Sequence, residues 1–160
     1  MALKVWHEIL ENADVTTGKR IFQPVNFNKN VMLRYARTWV VGYNNPTFTN
    51  LYLECYSYDQ TNQVPVKLLH TSTNTQAKAT IATENNFYKE IWFKFNYAPF
   101  VDTDYYCFIL RATGYSYSAS AYIGWAKAFP DPVYKTGLDW NRLAAATTNP
   151  FDIYFIGSEI

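Results

Sequence analysis

Between residues 20 and 156 apolar and polar side chains alternate in short runs, with Asn, Asp, Gly or Pro between one run and the next. A period of two marks a strand whose side chains point alternately to opposite faces. In residues 48–58 (FTNLYLECYSY), Leu51, Leu53 and Cys55 share one face, while Tyr52, Glu54, Tyr56 and Tyr58 share the other. That pattern predicts a half-buried antiparallel strand. Residues 31–43 (VMLRYARTWVVGY) put Val31, Leu33, Tyr35, Trp39 and Val41 on a common face, interrupted by Arg37, and Asn44-Asn45-Pro46 ends the run. Residues 88–96 (YKEIWFKFN) direct Ile91, Phe93 and Phe95 inward and Glu90, Trp92 and Lys94 outward. Residues 115–125 (YSYSASAYIGW) alternate without a fault, from Tyr115 to Trp125.

Further strands are predicted at 20–27 (RIFQPVNF), at 64–71 (VPVKLLHT), weakly around Thr80-Ile81-Ala82, and from Phe151 to Ile156. Pro24 would place its strand at a sheet edge or a bulge, since proline cannot donate to a ladder. Residues 105–112 (YYCFILRA) are the most continuously apolar, as a central strand requires. Helical character is confined to 139–146, where Asp139 could cap a short turn and Asn149-Pro150 follows. Residues 3–10 (LKVWHEIL) fit an edge strand or a short helix. Eight or nine short strands leave no room for crossover helices, which excludes parallel βαβ architectures. The expected fold is all-β: a single domain over residues 1–160, an antiparallel two-sheet β-sandwich of jelly-roll type. Residues 1–19 would form an extended arm or an edge strand.

Composition sharpens this picture at one point. The 160 residues include 14 Tyr, 11 Phe and 5 Trp, more aromatic surface than one core readily hides. Fourteen Lys and Arg against 13 Asp and Glu give a net charge of +1, which excludes a general electrostatic grip on nucleic acid. No apolar stretch reaches the roughly 18 residues of a membrane span. No basic start followed by an apolar run suggests a secretory signal. Cys55 and Cys107 lie in separate apolar runs without CxxC spacing; two buried thiols are expected, with a disulfide between neighbouring strands as the alternative.

Catalytic patterns are absent: the sequence holds no Walker loop, no GxGxxG and no HExxH. His7 and His70 stand far apart, and His70 reads as a strand-end residue. A Cys55–His70 pair would need neighbouring strands with facing side chains. Gly114-Tyr115-Ser116-Tyr117-Ser118 lacks the final glycine of a nucleophile elbow and lies in a strand pattern. Asp102 and Asp104 supply too few oxygens for calcium. Glu54 and Glu90 are the one carboxylate pair a glycosidase reading could use. No cofactor or metal is expected. The aromatics predicted on outward faces remain: Tyr52, Tyr56, Tyr58, Tyr88 and Trp92. They suit a protein interface, a stacking platform for sugars, or packing under loops of the same domain.

Leu51 to Thr71 with its "PVKLLHTS", then "KEIWFKFNYAPFVDTDYYCFIL", "YIGW" and the closing "PFDIYFIG" together resemble jelly-roll domains of tailed-bacteriophage virion proteins. The shared features are a Pro-x-x-Leu-Leu strand and an Asp-x-x-Tyr-Tyr strand carrying the central core, and the likeness spans residues 31–156. It implies a non-enzymatic capsid-decoration, head-fibre or tail-associated part, assembled in the host cytoplasm into the virion. Its partners would be other virion proteins and further copies of itself, not nucleic acid or membrane. The competing expectation is a carbohydrate-binding module or host-receptor-binding domain that uses exposed Tyr and Trp on a glycan.

Overall fold

The computed structural model describes residues 7–10, 22–27, 29–81, 88–126, 141–142 and 153–160. Among these, eleven strands follow in order: β1 (His7–Ile9), β2 (Gln23–Asn26), β3 (Val31–Tyr43), β4 (Asn50–Asp59), β5 (Val64–Thr71), β6 (Gln76–Ala77), β7 (Lys89–Phe100), β8 (Tyr106–Thr113), β9 (Tyr122–Ala126), β10 (Asn141–Arg142) and β11 (Ile153–Glu159). Every pairing is antiparallel. In the first sheet β3 is the spine. It pairs with β7 along one side and, along the other, with β11 over its first half and β9 over its second, with β1 beyond β9. The second sheet runs β10-β2-β8-β4-β5, with β6 also beside β4. The two sheets pack against each other. The protein is an all-β sandwich.

The core lies between the sheets and is largely aromatic. Phe108 of β8 meets Phe155 of β11 at 4.7 Å between ring centroids, and Phe27 lies 5.1 Å from both Phe100 and Phe155. Each fully buried ring contributes roughly 1.5–3 kcal/mol through the water it sheds. β8 is buried on both faces from Tyr106 to Leu110, the central position its apolar run predicts.

Four stretches differ from the sequence pattern, each for a local reason. In β3 the alternation changes phase at Arg34. Leu33 pairs with Gly157 and Ala98, but Tyr35 pairs with Ile156 and Lys94, so Arg34 is bulged out. One extra residue exchanges the faces. Val31 and Leu33 face the core before the bulge, and Ala36, Thr38 and Val40 face it afterwards. Tyr35, Arg37 and Trp39 therefore point outward, and the common face predicted through Trp39 is corrected. β7 changes phase at the same level, around Tyr97 with its φ of 52°, so Ile91, Phe93 and Phe95 give way to Ala98 and Phe100.

Residues 115–125 are not one strand. Ser118 and Ala121 exchange backbone hydrogen bonds and close a tight turn, which leaves only Tyr122–Ala126 in the sheet. The strand expected at Thr80-Ile81-Ala82 is replaced by β6 and a 3-10 turn at Lys78–Thr80; Ala82 lies outside the described residues. Of the predicted helical segment 139–146, only Asn141 and Arg142 are described, and they pair with Asn26 and Val25 as strand. That pairing places β10 outside β2, yet it stops short of Pro24. Of residues 1–19, His7–Ile9 form an edge strand and Leu10 is buried; the others lie outside the described residues.

Candidate functional site

The five outward aromatics do not form one surface. Tyr52, Tyr56 and Tyr58 lie on the outer face of the second sheet, opposite Leu51, Leu53 and Cys55 as the alternation predicts. Trp92 lies on the outer face of the first sheet, across the sandwich. Tyr88 precedes β7, and burial, aided by the neighbouring Tyr122, pushes its phenol up.

On the second sheet the tyrosines surround a carboxylate. Glu54 is only 9% exposed. Its Oε2 accepts hydrogen bonds from the Tyr56 hydroxyl at 2.5 Å and from Arg111 Nε at 3.2 Å. Arg111 is the cross-strand partner of Tyr52. Burial raises the phenols of both Tyr52 and Tyr56, and the Glu54 charge raises them further. Tyr58 packs against Phe22 at 5.8 Å. These rings are half-buried and tied to one another, so much of their surface is already used within the domain.

On the first sheet Tyr154, Arg37 and Trp92 form one row across β11, β3 and β7. The Arg37 guanidinium lies 4.2 Å from the Tyr154 ring and 5.7 Å from the Trp92 ring, within cation–π range. Glu90 fixes the row: its carboxylate accepts the Trp92 indole N–H at 2.9 Å and lies 3.5 Å from Arg37. In the next row Tyr35 faces Lys94 across the ladder and meets Trp92 edge-on, at 6.2 Å and 80°. Arg34, thrown outward by the bulge, lies 5.9 Å from the Tyr35 ring and 5.6 Å from that of Tyr97. Trp92 is 39% exposed and Tyr97 54%. Sequence reading found Trp92 here but missed Tyr35 and Arg37, because the bulge reverses the parity from which faces are assigned, and it assigned no face to Tyr154 in the closing strand.

The two sheet edges at β5 and β7 are finished differently. The free side of β7 is closed by polar side chains: Asn74 and Gln76 donate to the Trp92 carbonyl, and Asn74 Oδ1 accepts from the Lys94 amide. Among the described residues β5 has β4 as its one sheet neighbour. Val66 is 65% exposed and Leu68 46%, and Val64 and Leu69 are exposed as well. In sequence, "VPVKLLHT" carries apolar residues in both parities, Val64, Val66 and Leu68 in one and Leu69 in the other, which a strand buried on both faces can show as well.

The catalytic alternatives can be placed as well. Cys55 and His70 are cross-strand partners of β4 and β5, so the neighbour relation a Cys–His pair needs is present. Burial, with Cys107 nearby, pushes the Cys55 thiol well up, the reverse of the activation a nucleophile requires. Burial lowers His70, which packs on Phe100 at 5.3 Å. No disulfide joins the two cysteines: Cys107 pairs with Tyr56, and Cys55 with Phe108, so they point to opposite faces of the sheet. Glu54 and Glu90 stand on the outer faces of different sheets and cannot flank one bond. The Asp102–Asp104 turn is ordered by Asn26 and Asn30, which hydrogen-bond its backbone. Among the described residues no group of three or more His, Cys, Asp or Glu could hold a metal ion, and no helix is long and apolar enough to cross a membrane.

Comparison with protein-family models, curated proteins and solved structures finds no match to the chain. The surfaces themselves therefore carry the functional argument.

Proposed function

We propose that the protein is a non-enzymatic virion structural component, a capsid-decoration, head-fibre or tail-associated module of a tailed bacteriophage that acts by protein–protein contact between copies of itself and other virion parts. The resemblance of residues 31–156 supports the setting. The observation that carries the mode of action is β5, whose Val64, Val66, Leu68 and Leu69 are exposed together at a sheet limit. Grouped apolar side chains of this kind mark an interface.

Pro65 and Lys67 interrupt the strip, and these residue types at an edge discourage open-ended ladder growth. The contact is accordingly made through side chains, and it closes as a two-fold pair. A stable interface takes about 800 Å² per partner, more than one strand offers. Tyr56 and Tyr58, in register with Leu68 and Pro65, extend the patch onto β4.

Sedimentation of the full chain tests the contact. The wild type should be oligomeric, and Val66→Asp or Leu68→Asp should give a folded monomer whose melting temperature no longer depends on protein concentration. A wild type that stays monomeric at high concentration would remove β5 as a self-contact. Mass spectrometry of purified phage particles tests the setting, with absence of the protein as the adverse result.

A further inference from the structure

We propose that the outer face of the first sheet, centred on Trp92, is a binding platform for an acidic saccharide. The platform is independent of the β5 contact, since it lies on the other sheet and stays open when β5 is covered.

Three features single this face out. Aromatic rings lie on three adjacent strands: Tyr154 on β11, Tyr35 on β3, and Trp92 and Tyr97 on β7. Cations alternate with them, Arg37 between Tyr154 and Trp92, Arg34 between Tyr35 and Tyr97, and Lys94 across from Tyr35. The arrangement is also held in place before any ligand arrives. Glu90 grips both Trp92 and Arg37, and Asn74 and Gln76 brace the β7 backbone at Trp92.

The chemistry of the occupant follows from these features. The C–H groups along one side of a pyranose ring carry slight positive charge and settle on the electron-rich face of an indole or phenol. A carboxylate on the same sugar is met by the planar fork of an arginine or by a lysine ammonium. Arg37 is engaged by Glu90, whereas Arg34 and Lys94 have no carboxylate partner among the described residues. They are the cations that take the acid group. Single-stranded nucleic acid needs bases stacking one after another. Trp92 and Tyr35 stand at 80° to each other and cannot both take successive parallel bases.

The test is isothermal titration of the full chain, with indole fluorescence followed in parallel. The probes are an alginate hexasaccharide and 3′-sialyllactose, with cellohexaose and lactose as neutral controls and a ten-nucleotide oligo(dT) as a polyanion control. At least one acidic saccharide should bind and change the fluorescence. Its affinity should fall tenfold or more in Trp92→Ala and in the Arg34→Ala/Lys94→Ala pair, with melting temperature unchanged. Added salt should weaken it. No binding of either acidic saccharide at millimolar concentration would overturn the proposal. So would equal binding of the neutral controls, tighter binding of oligo(dT), or acidic binding that survives all three substitutions. Val66→Asp should leave saccharide binding intact, so failure here and failure of the β5 contact are read separately.

Discussion

The indole N–H of Trp125 donates to the hydroxyl of Thr38 at 2.7 Å inside the core, a polar contact between β9 and the middle of β3. Thr38 faces Ile91 on one side and Ile153 on the other, among otherwise apolar neighbours. A buried donor needs an acceptor, because leaving it unmet costs its desolvation. Thr38→Val keeps the volume and removes the hydroxyl. It should lower stability by about 1–3 kcal/mol, read as an earlier urea midpoint with an unchanged slope. An unchanged midpoint would show that the contact contributes nothing net.

Gly157 holds the bulge that turns β3. A Cβ added there would lie 2.3 Å from the Met32 carbonyl oxygen, a backbone atom that can yield only if the β3–β11 pairing shifts. Gly157→Ala should therefore cost about 1–3 kcal/mol, the usual toll of forced overpacking. Thermal melting measures it. Little loss would mean that β11 can slide freely, against the register from Ile153 to Glu159.

This bulge also explains how much was legible beforehand. Simple alternation located β4 and β7 and their core residues, because Leu51, Leu53, Ile91, Phe93 and Phe95 keep one parity over the stretch that matters, and an unbroken apolar run located β8. It failed in β3, where Arg34 breaks parity without a glycine or proline to announce it. The error fell on Tyr35, Arg37 and Trp39, and two of these belong to the Trp92 platform. Residues 115–121 misled for a different reason. Ser and Ala at alternate positions satisfy a strand pattern, yet the Ser118–Ala121 turn is closed by a backbone pairing and by the Ser118 hydroxyl, which accepts the Ala121 N–H, and alternation does not register such a turn. Burial at β5 was equally invisible, since apolar residues in both parities describe a strand covered on both faces as well as one left bare.

His70 supplies a pH dependence. Burial is the larger influence and lowers its pKa from the ordinary 6.5; a backbone hydrogen bond at Pro99 opposes it more weakly. Below 6.5 the unfolded chain takes up a proton more readily than the folded one, so stability falls as pH drops and levels off below the folded pKa. Above 6.5 this contribution is fully present. Denaturation midpoints from pH 7.5 to 5 should show the decline, and His70→Gln should flatten it. A wild-type profile that is already flat, or one unaffected by the substitution, would place the ring in water.

The last prediction separates domain packing from interface at the tyrosines of β4. Arg111 and the Tyr56 hydroxyl both donate to the largely buried Glu54 carboxylate. Hydrogen bonds to a charged acceptor contribute about 1.5–3 kcal/mol, more than neutral ones, because the alternative is a charge short of partners in a poorly hydrated place. Tyr56→Phe keeps the ring and removes one donor, while Arg111→Met keeps the stem and removes the other. Each should lower the melting temperature of the isolated domain, with Arg111→Met the more damaging because it also strips the compensating charge. Glu54→Gln in the Arg111→Met background should recover part of that loss, since the neutral amide needs no cation. If Tyr56→Phe leaves the melt unchanged but weakens oligomers in sedimentation, the hydroxyl serves the partner rather than Glu54, and the β4 face belongs to the assembly surface instead of the fold.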